Sequence, residues 1–336
     1  METPAPTHPS DGCPRPEKVP AGKNQMIVIK NERGLKKIKD AVLTLGNFDG
    51  LHLGHQKILK KVLERAKKLA LPSVVYTFEP HPLKVVSPGK SPPLIISLED
   101  KLKLLGSFGI GYCVLARFTK EFAGKHPGEF VEEVLVKKIS AKEVWVGHDF
   151  SFGRGKLGTV GYLKKLGGLF NFRVFVIAPH KISGGVVSSS RVRELIKKGN
   201  VAGAARLLGR DFSLNGRVVR GRVMGQKLGF PTANISTGNE LIPKEGVYAG
   251  RVSFNGGCRL GVINIGKAPT FGRGKTVIEV HILDFAGSIY GKDIRVWFAE
   301  RIRDEVRFGS GEELSRQIKK DIEKARNILL VPENLT

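Results

Sequence analysis

Apolar positions along this chain follow two different periods, and the change falls near residue 209. Before it, short apolar runs alternate with stretches of helical spacing. Residues 41–45 form an apolar run that predicts a buried strand. From 56 to 70, Ile58, Leu59, Val62, Leu63, Ala66 and Leu69 recur on one side of a helix. The same reading predicts strands at 73–78, 112–116, 143–146 and 173–177, and helices at 98–108, 160–166, 190–198 and 201–208. Residues 119–139 read as helix in two pieces, broken at Pro127-Gly128, and 86–93 as a loop. Strands alternating with helices indicate a mostly parallel sheet covered on both faces. Ligands of such sheets bind at the carboxyl ends of the strands. His52, His55, Glu79 and Asp149 each follow a predicted strand, so they are expected on one crevice.

After 209, helical spacing stops until about 312. Short strands with glycine turns are predicted at 214–223, 246–254, 258–265, 276–285 and 293–302. In the fourth, Val277, Glu279, His281 and Leu283 oppose Ile278, Val280, Ile282 and Asp284, which gives one polar-rich face. This pattern predicts a small antiparallel β-barrel, closed by an amphipathic C-terminal helix at 312–330. The expected organisation is a disordered extension at 1–25, rich in proline and polar residues, an α/β domain at 26–208, and a barrel domain at 209–332.

Bulk properties sharpen this picture only in part. With 336 residues and 41% hydrophobic content, the chain has material for two ordinary cores. Its net charge of +25 is compatible with nucleic acid binding or with phosphorylated small substrates. The lysines are dispersed and aromatics are only 7%, which favours small substrates and makes nucleic acid an unlikely partner. Cys13, Cys113 and Cys258 are far apart, with no metal spacing and no disulfide framework. A reducing, cytoplasmic setting is expected. No apolar run is long enough to span a membrane, and the N-terminus has no signal-peptide core.

Three segments carry candidate chemistry. Between the 41–45 strand and the following helix lies Gly46-Asn47-Phe48-Asp49-Gly50-Leu51-His52-Leu53-Gly54-His55-Gln56. A helix start presents free N–H groups and a positive dipole end to an anion. Gly46 and Gly50 let the backbone approach a phosphate. His52 and His55, three apart, share one side of a first helical turn, and each can donate a hydrogen bond to a phosphoryl oxygen. Ser188-Ser189-Ser190-Arg191-Val192-Arg193 opens a second helix, where hydroxyls and a bidentate Arg193 suit phosphates. In the barrel, Gly225-Gln226-Lys227-Leu228-Gly229-Phe230-Pro231-Thr232-Ala233-Asn234 offers a phosphate-cradling loop at Gly225 and Gly229. Thr232 and Asn234 supply the hard oxygens that Mg²⁺ takes.

The His-x-Gly-His pair after a glycine-rich turn resembles the nucleotidyltransferase superfamily. The fuller Gly46–Gln56 string is similar to one branch, the prokaryotic FAD synthetases, which are bifunctional riboflavin kinase/FMN adenylyltransferases. Gly-Phe-Pro-Thr-Ala-Asn, Gly246-Val247-Tyr248-Ala249, Asn264-Ile265-Gly266 with Pro269-Thr270-Phe271, the segment 279–285 and Arg303-Asp304-Glu305-Val306-Arg307-Phe308 resemble the riboflavin kinase half, in order. The resemblance spans about 25–330. It implies a Rossmann-like nucleotidyltransferase domain followed by a riboflavin kinase-like barrel. It implies that ATP and riboflavin give FMN in the barrel, with Mg²⁺, and that FMN and a second ATP give FAD and pyrophosphate in the α/β domain.

On this resemblance His52 and His55 are catalytic, and Gly46, Phe48, Asp49, Gly50, Gly54, Ser189, Ser190 and Arg193 bind ATP. Asp149 and Phe150 contact FMN or nucleotide, Glu279 is the base of the kinase, and Arg303 and Phe308 lie near its flavin. Glu79 also matches the pattern and either orients a group or caps a loop. Ser190 stands where the family has threonine, and Ser151 where it often has arginine, which leaves open what holds the FMN phosphate. Two other readings are a chain that keeps one activity only, the kinase being the safer, and a basic nucleic-acid-binding or regulatory protein. The sequence is compatible with an oligomer.

Overall fold

The computed structural model describes residues 25–30, 38–221, 228–267 and 276–330, and these fall into two compact units that divide between Ser189 and Ser190. The expected extension at 1–25, Gly225 of the predicted phosphate loop, and Pro269-Thr270-Phe271 lie essentially outside those residues.

In the first unit six parallel strands form one sheet: β1 (Ile27–Lys30), β2 (Val42–Leu45), β3 (Ser73–Glu79), β4 (Tyr112–Arg117), β5 (Glu143–Gly147) and β6 (Arg173–Ile177). Their order is β1-β4-β3-β2-β5-β6, so the chain winds outward in both directions from β2. The reversal between β2 and β5 is the place where such sheets open a crevice. The parallel α/β expectation holds, with one strand more than the apolar runs indicated: β1 is four residues long and half exposed, so it leaves little periodic signal.

Helices cover both faces. α1 (Leu53–Leu69) buries Ile58, Val62 and Ala66 against Val42 and Trp145. On the other face Phe130, Val131, Val134 and Leu135 meet Leu43, Val74, Val114 and Val144, and so does α3 (Val160–Leu169) through Leu163 and Leu166. The break expected at Pro127-Gly128 is present. Pro127 takes the first helical position after the His126 cap, and the segment continues as a π-helix from Val131 to Lys138. α2 (Leu98–Ser107) is capped by Ser97 and carries Glu99 and Asp100 in its first turn. The expected loop at 86–93 instead holds short helical turns at Pro82–Val86 and Pro88–Lys90.

One buried ion system clamps the sheet. Glu143, fully buried, accepts from Arg65 at 2.5 and 3.0 Å, from Arg173 at 2.8 Å and from Trp145 Nε1 at 3.1 Å. The hydrogen bond from Arg65 holds its carboxyl below the ordinary value, against the opposing effect of burial. Both arginines keep contact with water, so Glu143→Gln is expected to cost about 2 kcal/mol, read as a lower urea midpoint. The sign in pH follows. A folded-state value below the unfolded one stabilises above about pH 4.5, and that contribution is lost as pH falls through the lower folded value. The Gln variant should therefore show a flatter acid limb.

The second unit holds α4 (Ser189–Lys197, from Ser190 onward), α5 (Val201–Leu208) and a closed barrel. Its strands are β7 (Phe212–Val219), β8 (Ala233–Ser236), β9 (Gly246–Phe254), β10 (Gly257–Lys267), β11 (Thr276–Ile282) and β12 (Asp293–Arg303). All pairs are antiparallel, in the order β7-β8-β11-β10-β9-β12 with β12 returning to β7. The small antiparallel barrel is as expected, with β8 added. α6 (Gly311–Leu330) packs Ala325 and Leu329 on Val247, Ala249 and Val262. Periodicity changes at 209 because strands begin there, whereas the packing divides earlier: α5 lies on β12, and Gly199 sits against Arg301 and Tyr248.

Cys113 is a buried free thiol. Among the described residues no helix is long and apolar enough to cross a membrane.

Candidate active sites

The first site is built on the turn between β2 and α1. The chain leaves β2 at Leu45 and turns through Phe48 at φ 49°, Gly50 at φ 80° and Leu51 at φ 43°. Three left-handed residues in four make this a strained turn, and two are not glycine. Burial supplies the compensation: Phe48 and Leu51 are almost fully buried, and Asp49 accepts the backbone N–H of Ile95 at 3.0 Å and of Ile96 at 3.5 Å. A side chain at Gly50 would meet Ile95 at 2.9 Å. Asp49 thus points into the protein and fixes the turn.

α1 starts at Leu53, three residues earlier than its apolar spacing indicates, because His52 caps it. His52 Nδ1 accepts the N–H of His55 at 3.3 Å. The two imidazoles stack at 3.6 Å between centroids and 17°, and Phe48 meets His55 edge-on at 5.3 Å. The shared side expected for the pair is present. The cap also fixes a tautomer. Nδ1 must keep its lone pair, so His52 is a neutral imidazole whose Nε2–H is the donor. Gly54 lies directly under it: a β-carbon there would come within 3.1 Å of the His52 ring and 3.5 Å of the Val187 carbonyl. Gly54→Ala is therefore expected to push the ring aside. On the reactions that the resemblance implies, flavin adenylylation should fall about 10- to 100-fold while riboflavin phosphorylation is untouched, measured by chromatography of the flavins.

Ser189 reaches the same turn, its hydroxyl donating to the Asp49 carbonyl at 2.9 Å. Ser190 is exposed, and Arg193 is buried on α4. At the end of β5, next to β2, Asp149 is exposed and Phe150 stacks on Phe152 at 5.5 Å and 19°. Phe152, Phe130, Phe122, Phe118 and Phe78 continue as a chain of ring contacts at 5.4–5.9 Å. These rings come from five segments, so no motif announces them. Glu79 ends β3, on the carboxyl edge as well.

The second site runs across the barrel. Strand register puts Glu279 of β11 opposite Asn234 of β8 on one side and Asn264 of β10 on the other. Directly opposed residues share a face with β-carbons about 5 Å apart. Asn264 then opposes Val247, and Val247 opposes Arg303. Asn264 is the residue that sequence reasoning did not single out, although it stands in a quoted motif. Gly221 lies against the Asn234 amide, so closely that no side chain fits there. His281 Nδ1 lies 2.9 Å from the Pro231 carbonyl, to which it donates, and fixes the entry to β8.

Beside this row is a cavity of about 450 Å³ lined by Thr232, Ala233, Val280, Ile282 and the loop from Phe285 to Tyr290. The strand expected to run to Phe285 ends at Ile282, since Asp284 turns at φ 53° and releases that loop. Gly229, at φ 83°, needs to be glycine. Arg303 forms a bidentate pair with buried Asp321 of α6 at 2.8–3.0 Å and lies 5.7 Å above the Phe308 ring. Phe308 lines a second cavity of about 310 Å³ with Glu313, Arg316, Gln317 and Lys320. Among the described residues no cluster of three or more His, Cys, Asp or Glu could hold a metal ion.

Comparison with known proteins matches the two halves of the chain to two families. Residues 35–191 match FAD synthetase, and 208–329 match riboflavin kinase. The bifunctional riboflavin kinase/FMN adenylyltransferase of Escherichia coli K12 is 39% identical over 304 residues, 89% of this chain and 97% of that protein. The Haemophilus influenzae protein of the same name is 35% identical, over 86% of this chain and 94% of its own length. A crystal structure titled macrolide-efflux protein from Streptococcus pneumoniae aligns with a TM-score of 0.82 and 32% identity, covering 90% of this chain and 99% of that one. Matches to both halves, in order and over nearly full length, place the chain in the bifunctional riboflavin kinase/FMN adenylyltransferase family.

Proposed function

We propose that the two sites divide the two reactions of this family between them. The chain is a transferase of flavin biosynthesis that phosphorylates riboflavin to FMN and adenylylates FMN to FAD. The observation that carries the residue-level reading is the stacked His52–His55 pair capping α1 at the switch point of a parallel sheet, in a chain that also places Glu279 between Asn234 and Asn264.

In the kinase half, Glu279 takes the proton of the ribityl hydroxyl as it attacks the γ-phosphorus of ATP. The cavity beside Thr232 receives the nucleotide, with apolar walls for the base. Thr232 and Asn234 fit Mg²⁺, which takes few protein oxygens and completes its shell with phosphate and water. When bound it neutralises charge on the phosphates. Asn264 sits on the other flank of Glu279 and orients it.

In the adenylyltransferase half, the FMN phosphate attacks the α-phosphorus of ATP and pyrophosphate leaves. His52, as a neutral Nε2–H donor, and His55 stabilise the charge that builds on the α-phosphate and the leaving group. Ser190 and Arg193 are assigned to the outer phosphates. The Phe150–Phe152 stack presents a planar apolar face of the kind an isoalloxazine ring packs on. The partners are small molecules, and a cytoplasmic location, where ATP and riboflavin meet, is expected.

The test is incubation of the full chain with riboflavin, ATP and Mg²⁺ followed by chromatography. FMN appearing first and FAD after it is the expected result. Absence of both under varied conditions would reject the reading.

A further inference from the structure

Gln56 closes the string that begins at Gly46, and neither reaction as assigned above uses it. It stands in the first turn of α1 and is 4% exposed. Glutamine is mostly a surface residue, and a buried carboxamide is costly unless it is hydrogen-bonded. The side chain directs its Nε2 donor at the turn: it donates to the Leu51 carbonyl at 3.0 Å, a bond that is itself buried.

Three carbonyls of the turn, at alternate residues, accept from side chains. Thr77 of β3 donates to Asn47 at 3.4 Å, Ser189 to Asp49 at 2.9 Å, and Gln56 to Leu51 at 3.0 Å. The third differs in what it controls. The Leu51 carbonyl and the His52 nitrogen belong to one planar peptide, so fixing the carbonyl fixes the plane through which the chain enters His52. Gln56 also holds the next plane, because its own N–H donates to the His52 carbonyl at 3.0 Å. One residue thus clamps both peptide groups that flank His52. The bond from the His55 N–H to His52 Nδ1, at 3.3 Å, holds the ring.

The clamp falls on a strained point of the backbone. Leu51 is left-handed at φ 43° without being glycine, and it is fully buried. Such a conformation persists only where the surroundings over-determine it. Release of the Leu51 carbonyl lets that peptide plane relax toward an ordinary conformation, and His52, the next residue, turns with it.

We propose that Gln56 is a positioning residue for adenylyl transfer: its carboxamide, bonded to the Leu51 carbonyl, sets the direction in which His52 presents its Nε2–H to the α-phosphate. This rests on the assignment of His52 and His55 to that reaction. Gln56 touches no substrate in this account. It acts through His52, so its loss lowers the rate and leaves substrate binding nearly unchanged. Residue 56 keeps its backbone N–H in any variant but proline, so a substitution isolates the side-chain half of the clamp.

The full-length protein is assayed for FAD from supplied FMN and, separately, for FMN from riboflavin. Gln56→Met keeps the length of an unbranched side chain and removes the donor. It should lower kcat for FAD formation at least about fivefold, with KM for ATP and FMN within about threefold and FMN formation unchanged. The proposal is overturned if kcat falls by less, if KM rises beyond that limit, or if FMN formation falls in step. Should Gln56→Met fail to fold, Gln56→Leu is read by the same limits. His52→Ala, run alongside, tests the underlying assignment. Normal FAD formation by His52→Ala would reject the site reading and the Gln56 proposal with it. A slow His52→Ala beside a normal Gln56→Met would reject the Gln56 proposal alone.

Discussion

Replacing Glu279 by glutamine is expected to stop FMN formation from riboflavin, by about 10²- to 10⁴-fold in kcat, and to leave FAD formation from supplied FMN at its normal rate. The size follows from chemistry. The ribityl hydroxyl must lose a proton as it attacks the γ-phosphorus, and an amide cannot accept it. The specificity follows from the strand register. Glutamine keeps the shape between Asn234 and Asn264, so the barrel and its nucleotide cavity persist. Chromatography of flavins from the two starting substrates reads both reactions. FMN formation within about fivefold of normal would remove Glu279 from the base role.

The mirror-image variant is His55→Ala. FAD formation from supplied FMN should fall about 10²- to 10³-fold, the range for losing a donor aimed at developing charge, while riboflavin phosphorylation continues. The design isolates the side chain. His52 caps α1 by accepting the backbone N–H of residue 55, which alanine retains. The tautomer of His52 and the start of α1 are therefore kept, and what is lost is the imidazole stacked at 3.6 Å. Equal loss in both reactions would indicate general damage instead.

Much of this architecture is legible in the chain because its signals are local. The strands of the α/β sheet from β2 to β6 are apolar runs of the length a buried parallel strand needs, and the helices between them carry one apolar side. The barrel strand β11 shows its alternation directly: Ile278, Val280 and Ile282 are buried while Val277, Glu279 and His281 are not. What fails to show is set by tertiary contact. β1 and β8 are four residues each, too short for a period to register. The start of α1 depends on a side chain of unusual type at the cap, since histidine is not among the common capping residues.

The candidate sites divide in the same way. His52, His55, Thr232, Asn234 and Glu279 stand in compact strings whose residue types suggest their chemistry. Asp49 and Arg303 stand in such strings too, and the fold adds partners that the strings do not show. Asp49 binds the Ile95 and Ile96 amides, and Arg303 binds Asp321. Asn264 and the phenylalanine row were silent for the opposite reason. Each matters through neighbours that are dozens of residues away in sequence. Strand register and ring contacts bring them together.

The central claim is that one chain holds two independent active sites linked by a diffusible product. The most direct test mixes the two variants. Neither Glu279→Gln nor His55→Ala should make FAD from riboflavin and ATP alone. Together they should, because FMN made by the His55→Ala protein feeds the intact adenylyltransferase of the Glu279→Gln protein, and FAD should appear after a lag in which FMN accumulates. A mixture that accumulates FMN but no FAD, or that makes neither, would contradict the account.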